Sequence, residues 1–183
     1  MRHAALFVSF VLSATTPNQK PVGDRVDLRA ELGGISSILV VVDAPTTAIG
    51  GVQVPKEDIR ERARKILAES NRPIITQSEA LKSMKGVGVV RVVVDIVPVS
   101  DSHRLAVNLE TEVRRRALVD CCAYYALAGV WKTQDLKVID KDGAIGELNR
   151  MVEAQVRSVV SALRTVSDSP PTGCDSCQLF DGK

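Results

Sequence analysis

Aromatic side chains are nearly missing: three Phe, two Tyr and one Trp make up 3% of 183 residues. Stacking platforms for nucleic-acid bases and aromatic carbohydrate grooves have little to be built from. Charge of one sign is missing too. Lys and Arg number 24 against 22 Asp and Glu, a net of +2, so no field draws the chain to nucleic acid or to an anionic membrane surface. Neither is expected as a partner. No apolar run is long enough to cross a bilayer as a helix, so no membrane span is expected in the mature chain.

Histidine is limited to two residues, His3 and His103. A Ser-His-Asp or Cys-His arrangement would have to rest on His103, which lies between Ser102 and Arg104 in a turn, where a solvated side chain is the simpler reading. The glycines at Gly33-Gly34, Gly50-Gly51 and Gly86-x-Gly88 form neither GxGxxG nor GK[ST], so no nucleotide loop is read. No cofactor is expected.

The four cysteines fall into two pairs, Cys121-Cys122 and the motif Cys174-x-x-Cys177. A four-thiolate zinc site would need Cys121 and Cys122 to face one metal, but adjacent side chains of a strand point to opposite faces. A redox CxxC needs a helix N-terminus to lower its thiol pKa, and this one follows a helix and Pro170-Pro171. A metal is therefore not expected. In an exported chain the expected fate is a Cys174–Cys177 disulfide or intermolecular pairing, with Cys121 and Cys122 as small apolar fillers.

What the chain does have is valine. The stretch Val87–Val99, VGVVRVVVDIVPV, is dense in β-branched residues and reads as a central strand. Val90, Val92, Val94 and Ile96 fall on one face; Val89, Arg91, Val93, Asp95 and Val97 fall on the other. After a turn, Leu105, Val107, Leu109, Thr111 and Val113 alternate with Asn108, Glu110, Glu112 and Arg114, completing a hairpin with one wet side. A further apolar strand, Gly33–Pro45, ends at Asp43, and Pro73–Thr76 reads as an edge strand.

Pro55, Glu57 and Asp58 open a helix with the stripe Ile59, Ala63, Ile66 and Leu67, while Ser78–Met84 has the length of one or two helical turns. Residues 117–139 are so evenly apolar that periodicity does not separate strand from helix. The expectation is a strand to about Val119, a turn, and a strand over Tyr124–Thr133, against a helix over Val113–Ala128. The last helix is capped by Asp142 and carries Ile145, Leu148, Val152, Val156, Val159, Leu163 and Val166 at helical spacing.

The order β-α-β-β-β-β-α predicts an α+β two-layer sandwich, an antiparallel-rich sheet of about five strands with two amphipathic helices on one face. Ahead of it, Arg2, the apolar run Ala4–Leu12 and small residues follow the order of a signal peptide over 1–14, with cleavage after Ser13 or Ala14. Residues 15–29, with Pro17, Pro21 and Gly23, read as a flexible connector; 30–167 as the single domain; 168–183 as a disordered tail carrying the CxxC. The mature chain is expected outside the cytoplasm, periplasmic or extracellular.

Three places could carry function. Asp43 and Asp95 each follow a valine run and would form an acid–base pair if they shared a cleft; the simpler reading is a strand end and a solvated side chain. Arg114-Arg115-Arg116 could seat a phosphate or an acidic partner, although beside Glu110 and Glu112 it reads as a salt-laced strand end. The second sheet face, Val89, Val93 and Val97 joined by Leu39 with Val41 (or by Ile38, Val40 and Val42), would be apolar in the middle and charged at its edge. Together these favour an exported, non-enzymatic binding or assembly module that meets a protein partner or a second copy of itself. The alternative is an enzyme or metal protein using Asp43, Asp95 or the tail cysteines. Expressed in a secreting bacterial host, the protein should carry a new N-terminus near Ala14 or Thr15, read by N-terminal sequencing. Cytoplasmic protein retaining Met1 would contradict export.

Overall fold

The computed structural model describes residues 32–82, 85–100, 103–119 and 124–167. The signal-peptide, connector, tail and cysteine readings all lie outside the described residues. Five strands form one sheet in the order β2-β1-β3-β4-β5: β1 Ser37–Asp43, β2 Ile74–Ile75, β3 Val87–Pro98, β4 Arg104–Val119 and β5 Tyr124–Asp140. β2 and β3 each run parallel to β1, and β3, β4 and β5 are antiparallel. Among the described residues three α-helices accompany them: α1 Lys56–Ala68, α2 Gln77–Lys82 and α3 Ala144–Ser167. The fold is α+β, with a mostly antiparallel sheet.

The helix-facing side of the sheet is the valine face read from the sequence. Ile38, Val40 and Val42 of β1, Val90, Val92, Val94 and Ile96 of β3, and Leu105, Val107, Leu109 and Val113 of β4 are all buried in one cluster. Ile59, Ala63, Ile66 and Leu67 of α1 and Leu148, Val152, Val156, Val159 and Leu163 of α3 close over them. Each such aliphatic side chain contributes about 1.5–3 kcal/mol by leaving water, so this layer dominates the stability. Gln155, the polar interruption in the α3 stripe, donates to the Leu109 carbonyl at 3.0 Å. Arg72 ties the far end together, donating to the Ile35 carbonyl at 2.8 Å and the Leu163 carbonyl at 3.1 Å.

Two local expectations change. β5 starts at Tyr124 as expected, after a β4 that ends at Val119, but it does not stop at Thr133 and pairs with β4 as far as Arg104↔Asp140. Gln134, Asp135 and Lys137 look like loop residues, yet Leu136 and Val138 keep the period of two and the ladder runs through them. Asp142 does not open a helix by itself. It sits in a 3-10 turn, Lys141–Gly143, that leads into α3, and its carboxylate lies 3.1 Å from His103 Nε2 on an exposed edge.

The short helix α2 lies on the opposite face of the sheet. Its start is a capping box that the sequence carries as Thr76-Gln77-Ser78-Glu79. The Thr76 backbone N–H donates to Glu79 Oε2 at 2.6 Å, the Thr76 hydroxyl donates to the same oxygen at 2.7 Å, and the Glu79 N–H donates to Thr76 Oγ1 at 3.3 Å. These bonds, the backbone one foremost, hold the Glu79 carboxyl below the ordinary glutamate value. A depressed carboxyl contributes stability above its unfolded pKa and loses it as pH falls through the lower folded value. Ala80 anchors the helix against Val87 and Val89. The Val89 methyl resonances should therefore shift as pH falls below the ordinary glutamate range. In Glu79→Ala they should already sit at the low-pH position at neutral pH. Persistence of the pH step in Glu79→Ala would show that another group controls α2.

Candidate interaction face

Because side chains alternate, fixing Val90, Val92, Val94 and Ile96 under the helices fixes Val89, Arg91, Val93, Asp95 and Val97 on the other face. Antiparallel register then sets their neighbours in rows across β3, β4 and β5. Arg91 lies beside Glu112 and Lys132, Val93 beside Glu110 and Gln134, Asp95 beside Asn108 and Leu136, and Val97 beside Ala106 and Val138. On the parallel side, Val41 pairs with Arg91 and Leu39 with Val89.

This face is unevenly covered. Toward β1 the helix α2 closes it: Val87 and Val89 are buried, and Leu39, Val41 and Ile75 are half-buried against them. Toward β5 it is open. Val97 is 61%, Leu136 68% and Val138 58% exposed, and the rows above make them neighbours around Ala106. Of the residues read from the sequence as a contact face, Val89 is thus covered from within the chain, Leu39, Val41 and Val93 are half-buried, and Val97 stands in solvent.

A polar band borders the apolar end. Asn108 Nδ2 donates to Asp95 Oδ2 at 3.2 Å, and Gln134 Nε2 donates to Asn108 Oδ1 at 2.8 Å, a chain across three strands. One row on, Lys132 meets Glu110 at 2.7 Å. Beyond it Arg114 meets Glu112 at 2.7 Å, and Arg91 meets Asp43 at 2.6 Å. Half-exposed pairs of this kind are worth about 0–1 kcal/mol each, so they set the pattern of charge more than the stability.

Asp43 and Asp95 share the face but not a partner: the first holds Arg91, and the second, exposed, accepts from Asn108. The arginine triplet is split by alternation. Arg114 points into the band, while Arg115 turns to the other side and donates to the Gly33 carbonyl at 2.9 Å. Leu136 and Val138, the most exposed members of the patch with Val97, lie beyond the Thr133 end that the sequence suggests for β5. The alternation in Leu136-Lys137-Val138 was the available signal.

No family model and no curated protein matches the chain. Among solved structures it is similar to the PelC dodecamer of Paraburkholderia phytofirmans in two crystal forms. The point-variant form is 12% identical with a TM-score of 0.42, covering 70% of this chain and 88% of that one. The second form is 14% identical with a TM-score of 0.42, covering 72% and 89%. A candidate lipoprotein of Caulobacter crescentus is 16% identical with a TM-score of 0.37, covering 77% of this chain and 98% of that one. At these identities and scores the likeness transfers no function to this chain.

Proposed function

We propose that this chain is an exported, non-enzymatic binding or assembly module that presents the open half of its second sheet face to a protein partner, a second copy of itself being the favoured one. One observation carries the reading: Val97, Leu136 and Val138, each more than half exposed, adjoin in register at one end of the sheet. A polar-rimmed apolar patch is the usual composition of a protein-contact surface. The neighbouring band carries both signs, Asp95, Glu110 and Glu112 with Arg91, Arg114 and Lys132, and a mixed band of this kind can pair with its own copy across a two-fold axis. Export rests on the order of Arg2, the Ala4–Leu12 run and the small residues after it.

Leu136→Lys places a charge in the middle of the patch without touching the helix-facing core. Sedimentation velocity should show an oligomer for the wild type that is lost in Leu136→Lys. Unfolding stability compared at concentrations where both proteins are monomeric should change by less than about 0.5 kcal/mol. Leu81→Lys, at a residue 76% exposed on α2 away from the patch, should leave the oligomer intact. A monomeric wild type, or an unchanged oligomer in Leu136→Lys, would overturn self-association through this face.

A further inference from the structure

At the end of the sheet away from Val97 and Val138, three segments that are distant in sequence converge. Parallel pairing puts the entries to β1 and β3 side by side, and antiparallel pairing brings the late part of β4 to the same end, with Gly88 opposite Arg115. A cavity of about 370 Å³ opens there, lined by Gly33-Gly34, Lys85-Gly86, Arg115 and Arg116 among others. Among the described residues its charged lining is entirely cationic.

The glycines shape this cavity as well as the cations. Gly34 and Gly86 have φ of +79° and +72°, the left-handed region that a side chain disfavours. A Cβ at Gly86 would strike Ser36 Oγ. The Gly86 carbonyl is turned into the fold, accepting from the Ser36 N–H at 2.7 Å and the Ser37 N–H at 3.2 Å. The Gly33 carbonyl is likewise occupied by Arg115 Nη1. Two of the oxygens that would repel an anion are thus engaged by donors; Gly34 has open space where a side chain would begin, while the Ser36 hydroxyl sits beside Gly86 and donates to its carbonyl at 3.3 Å. Open main chain at Gly34 beside Arg and Lys side chains is an arrangement that receives oxyanions, with the guanidinium fork matched to a phosphate edge.

We propose that this cavity binds a phosphate-type oxyanion, borne by a small soluble phosphate or by a lipid headgroup. The inference is independent of the patch at the other end of the sheet. It joins two features that carry little meaning apart in the sequence, the Gly33-Gly34 and Gly86 loops and the arginine triplet. The test uses the full chain and two variants, Lys85→Gln and Arg116→Gln, with circular dichroism confirming that each folds. Inorganic phosphate is titrated by calorimetry against sodium chloride of equal ionic strength, and in parallel the protein is sedimented with phosphatidic acid vesicles and with phosphatidylcholine vesicles. Phosphate binding that weakens at least about tenfold in either variant supports a soluble phosphate ligand. Vesicle binding specific to phosphatidic acid and lost in the variants, without binding of free phosphate, supports a headgroup. Equal responses to phosphate and chloride together with no vesicle preference, or binding unaffected by both variants, would overturn the site.

Discussion

The structure depends on the seam where β1 and β3 lie parallel and bury one valine face under α1 and α3. Ile38, Val40 and Val42 meet Val90 and Val92 there in continuous register. With a period of two, a one-residue slip would turn every one of these side chains to the other side. The seam therefore fixes what the second face displays: Leu39, Val41, Arg91, Val93, Asp95 and Val97 face outward because their neighbours cannot.

Coverage of that second face is the next consequence. A six-residue helix, Gln77–Lys82, is long enough to shelter Val87 and Val89 but does not reach β5. Leaving Val97, Leu136 and Val138 in water forgoes about 1.5–3 kcal/mol of burial apiece, whereas each ion pair of the neighbouring band contributes about 0–1 kcal/mol. The apolar end, not the charged band, thus holds the unused free energy of the face. The band supplies register and selectivity for whatever covers it.

Much of this is legible in the sequence. The alternation from Val89 to Val97 and from Leu105 to Val113 named both faces of the hairpin, and the register sets Arg91 opposite Glu112 and Asp95 opposite Asn108. The α1 and α3 stripes were equally plain, since 3.6-residue spacing survives surface charge. The failures have physical causes. The end of β5 is hard to read because Gln134, Asp135 and Lys137 put polar side chains on both faces of an edge strand, which resembles a loop. The cover over Val89 was not foreseen because it depends on a capping box, Thr76 to Glu79, four residues long. The meeting of Gly33, Gly86 and Arg115 is a product of topology, and no local pattern encodes it.

The central claim, that the open end of the sheet is a contact surface, is tested most directly by methyl NMR of the wild type over a concentration series. Self-association through this face predicts that the methyl signals of Val97, Leu136 and Val138 shift or broaden together as concentration rises. Leu81 on α2 and buried Val90 should stay in place. Invariant Val97, Leu136 and Val138 signals, or changes centred on Leu81, would contradict it.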